Sequence, residues 1–277
     1  MKSWLLRHDG VVIFIFILIV FFLFVFLSPM LWMFIACFKG RGEIFTYPPV
    51  FIPKQINLSH FKRALELGGA KAIGDTLIIA GFSTLISLVV GSLAAYSLAK
   101  FHIGGKNLAF WILSIRMLPP IATVLPLFIF FQSLRWIDTY QSLILIDSVI
   151  NIPFAVWLLK GFFEELPPDL ESAALVDGCT HFQAFSHIAL PLAAPGLVAT
   201  ALFCFIFAWN EFLFALILTR SHVRPITVLI ASMVGGHEIL WAEISALGTM
   251  ASVPVIVLAI LLQKYLVRGL TLGAVKG

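Results

Sequence analysis

The sequence predicts an all-α membrane protein with six transmembrane helices, and three observations carry that prediction. The 277 residues are 61% hydrophobic and only 12% charged, with a mean hydropathy of +1.04; soluble domains are about a quarter charged. The apolar residues gather into runs of about twenty, the length at which a helix crosses hydrocarbon with its backbone hydrogen bonds made internally. The runs are continuous rather than alternating, which argues against a transmembrane barrel.

The spans read as 11–38, 73–98, 108–134, 143–159, 192–218 and 244–266, treated together as one transmembrane domain over 1–277. The first opens with 17 residues, Val11 to Leu27, that carry no polar side chain. Lys2 and Arg7 precede it and "FIAC" ends it at Cys37, an ending similar to a lipoprotein cleavage site. Its apolar core exceeds the roughly 7–15 residues of a signal peptide, and Phe34 stands where such a site prefers Leu, so the segment is expected to stay as a helix. An even number of spans puts both termini on one side. Charge does not say which side. Of the 18 basic residues, eight fall on the side of the termini and nine opposite, with Arg116 inside a span, so the positive-inside rule does not discriminate.

The loops differ in kind. In the first, 39–72, "YPPVFIP" is turn and extended chemistry. In "NLSHFKRALELGG", Phe61, Ala64 and Leu65 share a helical face and Gly68 can end the helix. The loop 219–243 is long, with Gly235-Gly236 and no strong pattern. The loop 160–191 is a polar island. Pro167-Pro168 can open a helix, and Asp169 and Glu171 sit in its first turn, where negative charge meets the positive helix end. Leu170, Ala173 and Ala174 have the spacing of one face. Gly178 suits a left-handed stop. Thr180 with Gln183 makes a capping box for a second helix, whose stripe is Phe182, Phe185 and Ala189, widened by Ile188, until Pro191 breaks it. Helix, Gly turn and helix, with a small-residue face and an aromatic face, form a unit that can dock in a protein groove or rest on lipid headgroups. Its acidic residues Glu164, Glu165, Asp169, Glu171 and Asp177 argue against an anionic lipid surface.

The island resembles the signature of importer-type ABC transporter permeases: Glu-Ala-Ala, three residues, Gly, nine residues, then Ile-x-Leu-Pro. Here Ala173-Ala174 lead through Leu175, Val176 and Asp177 to Gly178, and nine residues later come Ile188 and Leu190-Pro191. The chain departs from the signature at Ser172, which replaces the Glu, while Glu171 lies one residue earlier. "RMLPPIATVLPLF" from Arg116, "NIPFAVWLL" from Asn151, "ELPPDLESAALVDG" from Glu165, "AWNEFLFALILT" from Ala208 and "YPPVFIP" from Tyr47 extend the resemblance to the smaller six-helix permease of maltose-type, carbohydrate-uptake systems. The resemblance implies an importer-type ABC permease fold whose island is a cytoplasmic coupling-helix loop. It implies Glu171, Ser172, Ala173, Ala174, Asp177, Gly178, Phe182, Phe185, Ile188, Leu190 and Pro191 as the coupling residues. The expected partners are a second permease subunit in a heterodimer, two ATP-binding subunits that hold ATP and Mg, an extracytoplasmic solute-binding protein and membrane lipid. The expected location is the bacterial or archaeal cytoplasmic membrane with both termini inside, and with the loops 39–72, 135–141 and 219–243 outside.

Charges in a bilayer are costly and usually functional. Arg116, Asp147 and Glu211 are such charges, and Gln132, Asn151, Trp209 and Asn210 join them as candidates to line a substrate pathway. An aromatic ring beside hydrogen-bonding groups suits a sugar; the same residues could instead fix helix contacts. Pro119, Pro120, Pro126 and Pro153 are candidate bending points. The chain has no phosphate-binding G-x-x-x-x-G-K-[ST], since Gly105-Lys106 is followed by Asn107 and lacks the earlier Gly. ATP chemistry is therefore not expected on this chain, which reads as a permease rather than an enzyme. His237-Glu238 begins like a zinc-protease motif, but Trp241 holds the second His position. Cys37, Cys179 and Cys204 are dispersed, no metal site or cofactor is expected, and no dense basic run suggests nucleic acid. The alternative is a self-contained ion- or proton-coupled carrier with Asp147 and Glu211 as a relay; the lack of a repeated half weighs against it.

Overall fold

The computed structural model describes the backbone of residues 2–101, 103–105, 107–234 and 239–272, and the side chains of these except 2–10, 41 and 265–272. The Gly235-Gly236 pair and the His237-Glu238 dipeptide lie outside the described residues. Among the described residues every regular element is helical: α1 (Lys2–Ala36), α2 (Ser59–Glu66), α3 (Gly69–Phe101), α4 (Leu108–Ser114), α5 (Pro120–Ser133), α6 (Tyr140–Glu164), α7 (Pro168–Val176), α8 (His181–Ala184), α9 (Leu190–Leu192), α10 (Ala194–Trp209), α11 (Leu213–Leu218), α12 (Ile226–Ser232) and α13 (Trp241–Leu272).

Among the described residues, four helices are long and apolar enough to cross a membrane alone: Val11–Ala36, Gly69–Phe101, Tyr140–Glu164 and Trp241–Lys264. Two bent pairs raise the number to six if each is one span. The span read as 108–134 is one of them. It bends by 86° between Leu108–Met117 and Pro120–Ser133, because Leu118 and Pro119 take extended ψ angles of 125° and 121°; a residue before proline avoids helical geometry. Pro126 and Pro153, by contrast, sit inside continuous helices. The span read as 192–218 is also interrupted: α10 ends at Trp209 and the chain restarts as α11 at Leu213. The other bend, 77°, separates His181–Leu192 from Ala194–Trp209. The break therefore falls after Leu192, while Pro191 is accepted in the first turn of α9, where its missing N–H is not needed.

The chain forms two compact units. The first comprises residues 1–68 and 233–252. Its helix α1 exposes every side chain from Val11 to Leu27, as a helix in contact with lipid tails does. Around α2 the expected face is shifted by one position. His60 and Ala64 are buried, Phe61 is half-buried and Leu65 is exposed. The shift follows from His60, whose Nε2 lies 3.0 Å from the Lys39 carbonyl and whose Nδ1 lies 3.6 Å from Glu243. Gly68 ends α2 with φ +97°. Lys39 is buried with its ammonium 3.8 Å from the Trp32 ring centre, a cation–π contact.

The second unit, residues 69–232 and 253–277, is organised by α3 and α6. Their seam is made of small residues. Ser87 donates to the Ser148 carbonyl (3.3 Å) and Ser148 to the Ser83 carbonyl (3.4 Å). A Cβ placed on Gly91 would come within 2.7 Å of the Ala155 Cβ. Small residues let membrane helices approach closely enough for dispersion and cross-helix bonds to hold them. Helix α10 packs against both, with Asn151 donating to the Cys204 carbonyl at 3.2 Å and Gly196 leaving room for the Phe162 ring. The structure thus makes Asn151 an interhelical bond.

Replacing Gly91 with Val should force α3 and α6 apart and lower stability by about 1–3 kcal/mol, the usual cost of overpacking. Thermal melting of the detergent-purified chain would show a lower midpoint, whereas an unchanged midpoint would mean that the seam is not tight at this position.

Candidate functional site

At one end of the second unit the chain 160–191 folds as helix, turn and helix. Helix α7 begins at Pro168. Its end is a left-handed turn: Gly178 has φ +90°, and the N–H groups of Asp177, Gly178 and Cys179 return to the carbonyls of Ala173, Leu175 and Ala174 at 2.9, 3.1 and 2.9 Å. Only Gly adopts that φ without steric cost. Thr180 and Gln183 form the reciprocal capping box, with bonds of 2.7 and 3.3 Å. The second helix does not stay α-helical. After α8, residues Phe185–Ala189 widen into a π-helical turn before α9.

The two faces of this loop differ from the simple spacing. On α7, Glu171 and Ala174 are buried, while Leu170, Ser172, Ala173, Val176 and Asp177 are exposed. Leu170 and Ala173 therefore do not share a buried face with Ala174. In the second helix Phe185 and Ala189 are buried in a cluster with Ala95, Tyr96, Leu159, Phe163 and Ala193, and Leu190 packs at its edge. Phe182, also in ring contact with Phe185, is 66% exposed. The expected aromatic stripe is thus split, with Phe185 inward and Phe182 outward; Ile188 is half-buried and Pro191 exposed. The π turn begins at Phe185, after the α-helical turn that carries Phe182, and keeps Phe185 and Ala189 together on the buried side.

The polar residues of the spans are not brought to one point. Arg116 is half-buried, its guanidinium 4.5 Å from the Phe207 ring centre and 5.4 Å from that of Phe154. It lies on the wall of an apolar cavity of 390 Å³ lined also by Thr123, Phe130, Pro153 and Phe214. Gln132 and Asn210 are exposed, and Asn210 donates to the Ile206 carbonyl of its own helix at 2.8 Å. Asp147 is buried on α6. Trp209 is buried and stacks on Phe205 at 5.4 Å. Glu211 turns back to cap α11, accepting from the Phe214 and Ala215 N–H groups at 2.8 and 2.9 Å. Trp209, Asn210 and Glu211 therefore point to three different tasks rather than forming one platform.

At the other end of α3 and α6, two carboxylates absent from the sequence reading organise the chain. Asp138, between α5 and α6 with φ 63°, accepts from four successive N–H groups, Arg220 to Val223, at 2.9, 3.2, 2.9 and 3.1 Å. Burial alone would raise its carboxyl; the four amides outweigh it and hold Asp138 at about 2. Asp75 on α3 accepts from Tyr140 (2.7 Å), Lys71 (2.8 Å) and the Arg224 N–H (2.9 Å). Thr76 takes the next amide, Ile226. Together these groups hold the stretch 220–226 that leads into α12. Asp75 falls inside the span read as 73–98, so the cost of a charge in hydrocarbon singles it out as it does Asp147. Asp138 had no comparable local signal, because its partners lie more than 80 residues away.

The second unit is thus a bundle of broken helices with a helix–turn–helix loop at one end and capped loops at the other. Residues 87–272 match the family described as binding-protein-dependent transport system inner membrane component, and the chain belongs to that family of ABC importer permeases. Over 257 residues it is 36% identical to the trehalose/maltose transport system permease protein MalG of Thermococcus litoralis, covering 91% of this chain and 92% of the relative. It is 37% identical over 257 residues to the trehalose transport system permease protein SugB of Mycobacterium tuberculosis, covering 91% and 93%. Its fold matches that of a chain in the crystal structure of a bacterial ABC transporter involved in the import of the acidic polysaccharide alginate, with a TM-score of 0.76 and 24% identity over 94% of this chain and 96% of that one. ATP hydrolysis belongs to separate subunits in such importers, and family membership replaces the ion-coupled carrier as an explanation. Among the described residues no group of His, Cys, Asp and Glu could hold a metal ion.

Because the folded Asp138 pKa lies below the ordinary carboxylate value, its contribution is complete above pH about 4 and is lost as pH falls through about 2. Asp138→Asn should remove it at neutral pH as well. Hydrogen exchange at the Arg220–Val223 amides should then become on the order of tenfold faster, as loss of charge-assisted bonds implies. Unchanged protection would count against the clamp.

Proposed function

We propose that this chain is half of the membrane pathway of a carbohydrate importer. It pairs with a second, different permease, is driven by two ATP-binding subunits carrying ATP and Mg, and receives its solute from an extracytoplasmic binding protein. The observation that carries this reading is the loop 160–191, which anchors one side in the bundle and presents Val176, 87% exposed, and Phe182, 66% exposed, on the other. Exposed apolar side chains beside Ser172, Ala173, Asp177 and Gly178 suit a protein groove, which rewards anchors that fill pockets. An ATPase subunit docked there places the loop and both termini in the cytoplasm of a bacterial or archaeal cell. The stretch 220–232, at the other end of α3 and α6, then faces the binding protein together with the loop 135–141. Relatives named for trehalose, maltose and diacetylchitobiose support a sugar as the solute.

Of the candidate pathway residues, Arg116, Gln132 and Asn210 keep polar groups accessible and are the ones available to line the path. The ring faces of Phe154 and Phe207 beside Arg116 offer the apolar and polar mixture that sugar faces and hydroxyls bind. Asn151, Trp209 and Glu211 serve the path indirectly, by fixing the helices around it.

Reconstituted with its ATPase, partner permease and binding protein, the wild-type complex should accumulate radiolabelled trehalose, maltose or chitobiose only when ATP is inside the ATPase compartment, and an ion gradient alone should not replace ATP. Gly178→Val should strain the left-handed turn by about 1–2 kcal/mol and uncouple ATP hydrolysis from uptake. Ion-driven uptake by the lone subunit, or full coupling in the Gly178 variant, would refute the reading.

A further inference from the structure

The family signature places its Glu where this chain has Ser172, and the chain's own carboxylate one residue earlier points the opposite way. Ser172 is exposed, its hydroxyl returning to the Pro168 carbonyl at 3.0 Å. Glu171 is 6% exposed. Its Oε2 lies 2.5 Å from the Lys100 ammonium and accepts from the Tyr96 hydroxyl at 3.3 Å. Both partners belong to the last turns of α3. Tyr96 is itself buried, in ring contact with Phe163 of α6 at 5.6 Å and with Phe185 of the π turn at 5.0 Å. Four segments, α3, α6, α7 and the π turn, therefore meet at one phenol and one carboxylate. Beside them lies a cavity of 350 Å³ bordered by Ala99, Leu166, Pro168 and Glu164, and Glu164 is paired with Lys160.

We propose that Glu171 is a positioning residue: its bond to Lys100 and Tyr96 is the linkage by which α7 moves α3, and it makes no contact with the ATPase subunit. The inference rests on the reading that the loop docks on that subunit. A helix of nine residues has little grip of its own on the bundle, and the inward face of α7 offers only Glu171 and Ala174 as buried side chains. Ala174 contributes packing without direction. The ion pair contributes direction, because a desolvated carboxylate holds its partner at one geometry and is costly to leave unpaired. A push on the outward face of α7 is then delivered to Lys100 and Tyr96 and so to the whole length of α3. Without the pair, α7 can yield on its Gly178 hinge while α3 stays in place.

The test uses the complete importer in proteoliposomes with its binding protein, comparing wild type with Glu171→Gln, Lys100→Met, Tyr96→Phe and the exchanged pair Glu171→Lys with Lys100→Glu. The readings are the amount of ATPase subunit recovered with the permease and the factor by which the binding protein accelerates ATP hydrolysis. We expect full recovery of the ATPase in every variant. The acceleration should fall about fivefold or more in Glu171→Gln and Lys100→Met, as loss of a coupling free energy implies. The fall should be smaller in Tyr96→Phe, which keeps the ring cluster, and the exchanged pair should regain at least half. A merely structural role would reduce the yield of complex and leave the acceleration of the surviving complexes unchanged, and that result overturns the proposal. So does loss of ATPase recovery in Glu171→Gln alone, which would make Glu171 part of the docking face. Should Glu171→Gln not fold, Tyr96→Phe and the exchanged pair decide by the same readings. A wild-type chain that recovers no ATPase overturns the docking reading itself, and this one with it.

Discussion

The close approach of α3 to α6 is the constraint on which the second unit depends. Lipid tails are as apolar as leucine, so nothing like the hydrophobic effect presses two membrane helices together; contact must come from shape and from a few polar bonds. Ser83, Ser87, Gly91 and Ala95 on one side and Ser148 and Ala155 on the other supply both. Once that seam is set, α10 has a groove to enter. The two ends of α3 are carried to opposite ends of the unit. From Asp75 to Lys100 the helix spans about 37 Å at 1.5 Å per residue. At one end Asp75 and Thr76 receive the amides of Arg224 and Ile226; at the other Lys100 and Tyr96 receive Glu171.

Carboxylates do most of the fastening, and they do it with different partners. Asp138 and Glu211 bind backbone amides, which closes a loop or starts a helix without another side chain. Orphan N–H groups at a helix start or in a tight loop need such acceptors. Asp75 combines an amide with a phenol and an ammonium, and Glu171 uses only side chains. These choices match position. Where chain direction changes, the backbone offers free donors; between packed helices its donors are already used, and the partner must be a side chain.

The elements governed by local chemistry were legible in the sequence. Gly178, the Thr180–Gln183 box and the Pro168 start of α7 follow from backbone geometry that a few neighbouring residues determine. The long apolar helices α1, α3, α6 and α13 follow from composition. What spacing could not supply was the facing of short helices. On α7 the buried position is Glu171, because a lysine and a tyrosine from α3, more than 70 residues away, wait for it. In the second helix Phe185, which opens the π turn, packs against Tyr96 of α3 and Phe163 of α6, while Phe182 on α8 stays out. The interruption at Asn210–Phe212 was hidden by the unbroken hydropathy of its flanks. The acid that signals it, Glu211, was legible as a costly charge, but its task as a cap required the fold.

The division of α7 into an inner and an outer face has an evolutionary consequence. Ser172, Ala173, Val176 and Asp177 are exposed, whereas Glu171 and Ala174 are tied to the bundle. Selection can therefore retune the outer four to a changing neighbour while the inner two stay under the stricter demand of their own chain. On the proposed docking of the ATPase subunit, a transporter lineage built this way can exchange its energy source among related subunits by drift on a single helical surface, leaving its architecture untouched.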